Sequence, residues 1–116
     1  MGIKGVVMKT DIFGMSYSVS LVDGISPYLR KGDEMLAGVI YYDVKNIYIN
    51  KQISYGQQVE TFVHELTHAI LYESQLDVTK DSYTEEELCR FTERFLPLIN
   101  DKKDEFEKYL KENKEK

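Results

Sequence analysis

The chain has 116 residues, of which 42% are apolar and 30% charged, and its formal net charge is −5 at pH 7. This length suits one compact domain over residues 1–116, and the acidic balance argues against binding along a nucleic-acid backbone, which requires a basic surface. No apolar run approaches the roughly 18 residues of a membrane helix and no signal peptide is evident, so we expect a cytoplasmic protein without membrane contact.

The first half of the sequence has the alternating apolar pattern of β-strands. Residues 5–12 and 15–22, separated by Phe13-Gly14, predict a pair of strands. Residues 36–42 and 46–50 predict a second hairpin. We therefore expect an N-terminal antiparallel sheet.

The second half changes to helical spacing. Apolar residues at steps of three and four predict a helix over about residues 57–74. Another helix is predicted to begin near Thr84, which can cap it, with Glu87 at the capping-box position. Pro97 predicts a kink or an end, followed by a last helix over residues 101–112. The predicted fold class is α+β, a small domain with a sheet followed by three helices.

His64, Glu65 and His68 form an HExxH pattern on the first predicted helix. Histidines four residues apart lie about 40° apart around a helix and roughly 6 Å apart along it, so both imidazoles can reach one metal ion. Zinc accepts neutral imidazole nitrogen, and Glu65 is displaced by one residue, so it can reach a zinc-activated water as general base. The alternative is a solvated helix face that carries the chain's only two histidines.

A catalytic zinc also needs a third protein ligand and one open position. Because there is no third histidine, either that ligand is a carboxylate or the site has none. At the start of the next predicted helix Glu85 lies nearest to the apolar side, whereas Glu86 points away and Glu87 lies to the side. We favour Glu85 and keep Glu86, Glu87 and, more weakly, Glu73 open; plain N-terminal helix charge explains at least two of the first three.

Further predictions concern residues near the motif in the sequence. Cys89, the only cysteine, is expected to fill the core. The oxyanion-stabilising group of a peptidase is not identified, although Tyr72 and Tyr83 are nearby in sequence. The hairpin that ends at Asn50 leads almost directly into the motif helix, so its edge strand could hold an extended peptide by strand addition. The alternative is a strand that only closes the core.

Residues 47–50, the segment HELTHAILYE from His64 to Glu73 and residues 85–92 resemble the ImmA/IrrE-like family of zinc metallopeptidases. That family shows HELGHAIL, then a helix with a glutamate, a small apolar residue, Asn and a Phe-Ala step. Aligning Phe91-Thr92 with this step places Glu85 on the family's third ligand. The resemblance covers roughly residues 36–97, but Thr67 replaces the family's Gly, and Leu88 and Cys89 replace Ala and Asn.

The resemblance is to compact members of phages and mobile elements. It implies a gluzincin-like zincin domain that cleaves a protein such as a transcriptional repressor or regulator. We therefore predict a metallopeptidase in which His64, His68 and Glu85 bind Zn²⁺ and Glu65 acts as general base. The predicted partner is a protein or peptide substrate, with no direct nucleic-acid contact.

Two other functions remain open at this stage. One is a catalytically silent zincin-fold interaction module, and the other is a metal-independent interaction protein. No fourth protein ligand is well placed to close the site, which favours catalysis. The presence of Glu65 favours catalysis as well, because a binding module has no use for a general base.

Overall fold

The computed structural model describes residues 6–74 and 84–113. A sheet formed by the first half of the chain packs against two long helices. In chain order the elements are β1 (Val6–Ile12), β2 (Met15–Val22), a 3₁₀ helix (Pro27–Leu29), β3 (Arg30–Lys31), β4 (Glu34–Met35), β5 (Gly38–Tyr41), β6 (Asn46–Asn50), α1 (Tyr55–Glu73) and α2 (Glu85–Asn113).

The main sheet has the strand order β1-β2-β6-β5. The two predicted hairpins are confirmed, since β1 pairs antiparallel with β2 and β5 pairs antiparallel with β6. The prediction of an antiparallel sheet is wrong, because β2 and β6 are parallel. The long connection after Val22, which includes β3 and β4, places β5 at the edge, and β6 then turns back between β5 and β2. Parallel neighbours need such a crossover, and alternation alone cannot predict it.

Capping side chains define where both helices begin. Ser54 caps α1, and its side chain and that of Gln57 form a reciprocal capping box. At the start of α2, the Thr84 hydroxyl accepts from the Glu87 backbone N–H, and the Glu87 carboxylate accepts from the Thr84 N–H. The predicted role of Thr84 and Glu87 in capping is therefore confirmed.

The prediction of three helices is wrong for the described residues, because α2 continues through Pro97 without ending. A proline inside a helix removes one backbone hydrogen bond, to the carbonyl four residues earlier. Pro97 and Glu93 are both exposed, so water can satisfy that carbonyl. Phe95 before the proline and Phe106 after it are both buried in the same core, so both halves of α2 pack against it.

One hydrophobic core joins the sheet to both helices. The rings of Phe62 on α1 and Phe106 on α2 stack with centroids 4.4 Å apart. Cys89 does not belong to this core; it is exposed, and the prediction of a buried role is wrong. Neither described helix is long and apolar enough to cross a membrane.

Candidate metal centre

The two histidines of the HExxH motif converge on one point beside α1. Their Nε2 atoms are 3.3 Å apart, and their rings lie at 80° to each other. His64 is exposed and His68 is half-buried, because the apolar stripe of α1, with Phe62 and Leu66 fully buried, faces the sheet and turns these positions outward. Sequence spacing predicted this convergence.

The separation of the two nitrogens fits a shared zinc ion. Two ligands at ~2.0–2.1 Å from a tetrahedral zinc are about 3.3–3.4 Å apart, which matches the observed distance. Burial, followed by the charge of His64, lowers the pKa of His68, so the His68 ring favours the neutral form that binds metal. In the metal-free protein, the same spacing allows one ring N–H to donate a long hydrogen bond to the other ring.

Glu65 lies on the side of the histidine pair that faces the sheet. It is only 8% exposed, and no described residue donates a hydrogen bond to its carboxyl group. Burial raises the pKa of Glu65, and the nearby positive charge of His64 opposes that rise. The result is a carboxyl group whose proton affinity is shifted toward neutral pH, as a general base requires.

A small groove opens beside this triad, between α1 and the edge strand β5. It has a volume of ≈ 330 Å³ and is lined by Leu36, Ala37, Gly38, Glu60, Thr61, His64 and Glu65. Gly38 allows the helix to approach the strand closely, since a β-carbon there would overlap the methyl group of Thr61. Among the described strands β5 pairs only with β6, so its other edge is open beside the groove.

Three of the predicted third-ligand candidates are engaged elsewhere. Glu86 is exposed and forms an ion pair with Arg90 at 3.2 Å, and Glu87 is part of the α2 capping box. Glu73 accepts hydrogen bonds from Lys45 and Tyr17 at the C-terminal end of α1.

The predicted ligand Glu85 begins α2, but its side chain lies outside the described residues. Among the residues that are described, no group of three His, Cys, Asp or Glu side chains converges as a metal site. The structure therefore brings together His64, Glu65 and His68 and leaves the third ligand undescribed.

A pair of tyrosines borders the site on the side of the C-terminal half of α1. Tyr72, one helical turn beyond His68, stacks on Tyr42 with ring centroids 4.5 Å apart. Burial raises the pKa of Tyr42, and the charge of Glu65 adds to this effect, so the Tyr42 hydroxyl stays protonated and can donate a hydrogen bond. The sequence did not indicate Tyr42, because only the path of the chain through β5 along α1 brings this residue near the motif. The other tyrosine considered from the sequence, Tyr83, lies outside the described residues.

Comparison of the chain with protein-family models, curated proteins and solved structures gives no match.

Proposed function

We propose that this protein is a zinc-dependent metallopeptidase of the zincin type. The observation that carries the proposal is the convergence of His64 and His68, with Nε2 atoms 3.3 Å apart, beside the carboxyl group of Glu65, which has no hydrogen-bond partner among the described residues. Two neutral imidazoles and an adjacent carboxylate outside the metal's ligand shell are the components of an HExxH hydrolase. The resemblance of His64–Glu73 to the ImmA/IrrE-like family supports the same function.

In this proposal His64, His68 and Glu85 hold the metal. Zinc supplies the Lewis acidity that lowers the pKa of water toward ~7 and polarises a peptide carbonyl. Glu65 takes a proton from a water molecule in the groove and delivers it to the leaving amine. Its burial, without a hydrogen-bond donor among the described residues to stabilise the charged form, keeps it available to accept that proton.

An extended peptide suits the space around the site. The open edge of β5 offers backbone groups for strand addition, and the groove lies beside that edge. The side chains of the peptide would then alternate between the groove and solvent. A protein segment that is extended and exposed is the substrate class this arrangement favours, and a transcriptional repressor or regulator is the substrate implied by the family resemblance.

A catalytically silent interaction module is the second candidate. The observation that favours it is that only two ligands converge among the described residues, so the metal site is incomplete there. In that case the groove and the open edge of β5 would bind a protein segment without cleaving it. The two candidates differ in whether one zinc ion is bound tightly and whether Glu65 is needed.

Metal content separates the two candidates. Elemental mass spectrometry on the tag-free protein, after zinc is supplied and excess is removed, should give about one zinc per chain. His64→Ala should lose it, because it removes one of the two histidine ligands and leaves only His68 and Glu85, and Glu85→Gln should weaken it. Glu86→Gln is the matched control and should keep it, since Glu86 pairs with Arg90. A wild-type protein that retains no zinc would contradict the peptidase and support the interaction module.

A further inference from the structure

The groove beside the candidate metal centre has one apolar wall and one wall that carries acidic side chains. One wall consists of Leu36, Ala37 and Gly38, which run along the edge of the sheet into β5. The opposite wall is α1, where Glu60 lies one helical turn before His64. The groove thus combines an apolar surface with two carboxylates, that of buried Glu65 beside the histidine pair and that of exposed Glu60 at the rim.

The carboxylate of Glu60 has no partner among the described residues. Glu60 is exposed, and no described lysine or arginine forms an ion pair with it. This distinguishes it from Glu73 and Glu86, whose charges are matched by Lys45 and Arg90. A positively charged group of another molecule can therefore form an ion pair with Glu60.

The direction of Gly38 shows which part of a bound peptide would meet Glu60. A β-carbon at Gly38 would point at Thr61, so this position of β5 faces α1. Residues directly opposite each other on adjacent strands project to the same face of a sheet. A peptide strand added at the edge of β5 would therefore direct the side chain opposite Gly38 into the groove.

We infer that Glu60 makes this groove a specificity subsite for a lysine or arginine side chain of an extended peptide. The long aliphatic stem of such a residue would lie along Leu36, Ala37 and the methyl group of Thr61, and its cationic end would reach Glu60 at the rim. The volume of ≈ 330 Å³ is at the small end of the ~300–1,000 Å³ of ligand pockets, which suits one side chain. The inference rests on the proposed function for the choice of a peptide as the occupant.

Peptide binding to the zinc-free 116-residue chain tests the subsite without relying on catalysis. The probes are fluorescein-labelled octapeptide libraries with Lys, Gln or Glu fixed at one central position, measured by fluorescence anisotropy at low salt. The wild-type protein should bind the Lys library about threefold to fivefold more tightly than the Gln library, the size expected of an exposed ion pair. Glu60→Gln should remove this preference, and Glu60→Lys should reverse it toward the Glu library.

Glu112→Lys is the matched control, because Glu112 is exposed near the end of α2, lies outside the groove and gives the same change in net charge. It should keep the preference for the Lys library. Three results would overturn the inference: a preference that Glu60→Lys leaves unchanged, an equal loss in Glu112→Lys, or no binding of any library.

A cleavage assay with the zinc-loaded wild-type protein separates this inference from the proposed function. Cleavage of the Lys and Glu libraries at equal rates would support a peptidase and overturn the subsite. Selective binding of the Lys library without cleavage of any library would support the subsite and contradict the peptidase.

Discussion

Glu65 and Glu73 are two carboxylates on the same helix in opposite situations. Glu65, in the middle of α1, is 8% exposed and has no described hydrogen-bond donor. Glu73, the last residue of α1, has a side chain 11% exposed and accepts from the Tyr17 hydroxyl at 2.6 Å and the Lys45 ammonium at 2.8 Å. Burial raises the pKa of Glu65. Burial would also raise the pKa of Glu73, but the hydrogen bonds from Lys45 and Tyr17 and the charge of Lys45 lower it overall.

The partners of Glu73 compensate for its position. A carboxylate at the C-terminal end of a helix faces the negative end of the helix dipole, which is unfavourable. Lys45 supplies the opposite charge, and it also lies 5.4 Å from the centroids of the Tyr17 and Tyr72 rings. This cluster joins the turn between β5 and β6 to the end of α1. Glu73 therefore has a structural role, whereas Glu65 is left chemically available.

The first prediction removes the proton acceptor. Glu65→Gln should lower peptide hydrolysis by about 10²–10⁴-fold, because an amide cannot act as general base, while zinc binding by the histidines is retained. Initial rates on a fluorescence-quenched peptide library, with zinc content measured on the same samples, test this. Glu73→Gln is the control on the same helix and should keep most activity at a temperature where it is folded. Wild-type rates in Glu65→Gln would contradict the assignment.

The second prediction concerns Glu73, whose replacement should lower stability and not activity. Glu73→Gln should reduce the free energy of unfolding by about 2 kcal/mol at pH 7, since it weakens two hydrogen bonds and leaves Lys45 without its counter-charge. The pKa of Glu73 is lowered in the fold, so its stabilisation is fully present above the unfolded value of 4.5 and is lost as pH falls through the folded pKa. Urea denaturation at pH 7 and pH 3 measures both effects.

A double-mutant cycle tests whether Lys45 is the partner responsible. Lys45→Met should destabilise the protein, but the double variant with Glu73→Gln should lose less than the two single losses added together. Additive losses would show that the two side chains act independently, against the network described for the end of α1.

The sequence predicted the four strands of the main sheet, the motif helix and the convergence of the two histidines, because each depends on local spacing; it did not predict the short strands β3 and β4. Alternation located β2 and β6, and the three-and-four spacing around His64 and His68 located the pair that converges. The prediction failed where the outcome depends on distant contacts. The parallel pairing of β2 with β6 depends on the path of the intervening chain, and the passage of α2 through Pro97 depends on the core that both halves share.

The residues that surround the site could not be predicted from the sequence either, because they also depend on contacts between distant parts of the chain. Tyr42 and Gly38 contribute only because β5 runs along α1, and nothing in their local sequence indicates it. The engagement of Glu73 with Tyr17 joins residues far apart in the chain, so the sequence left Glu73 open as a metal ligand.

The smallest effect predicted is the destabilisation caused by burying the Glu65 carboxylate, for which no described residue is a hydrogen-bond donor. Its folded pKa lies above the unfolded value of 4.5, so ionisation of Glu65 opposes folding as pH rises through the folded pKa. In the zinc-free protein Glu65→Gln should therefore increase the free energy of unfolding at pH 7, and the gain should vanish below about pH 4.5, where the carboxyl group is protonated in both states. Urea denaturation at pH 7 and pH 4 measures the difference, and Glu60→Gln, an exposed position on the same helix, should leave stability unchanged. A loss of stability in Glu65→Gln at pH 7 would mean that the carboxylate is satisfied in the fold, and the contrast with Glu73 would then disappear.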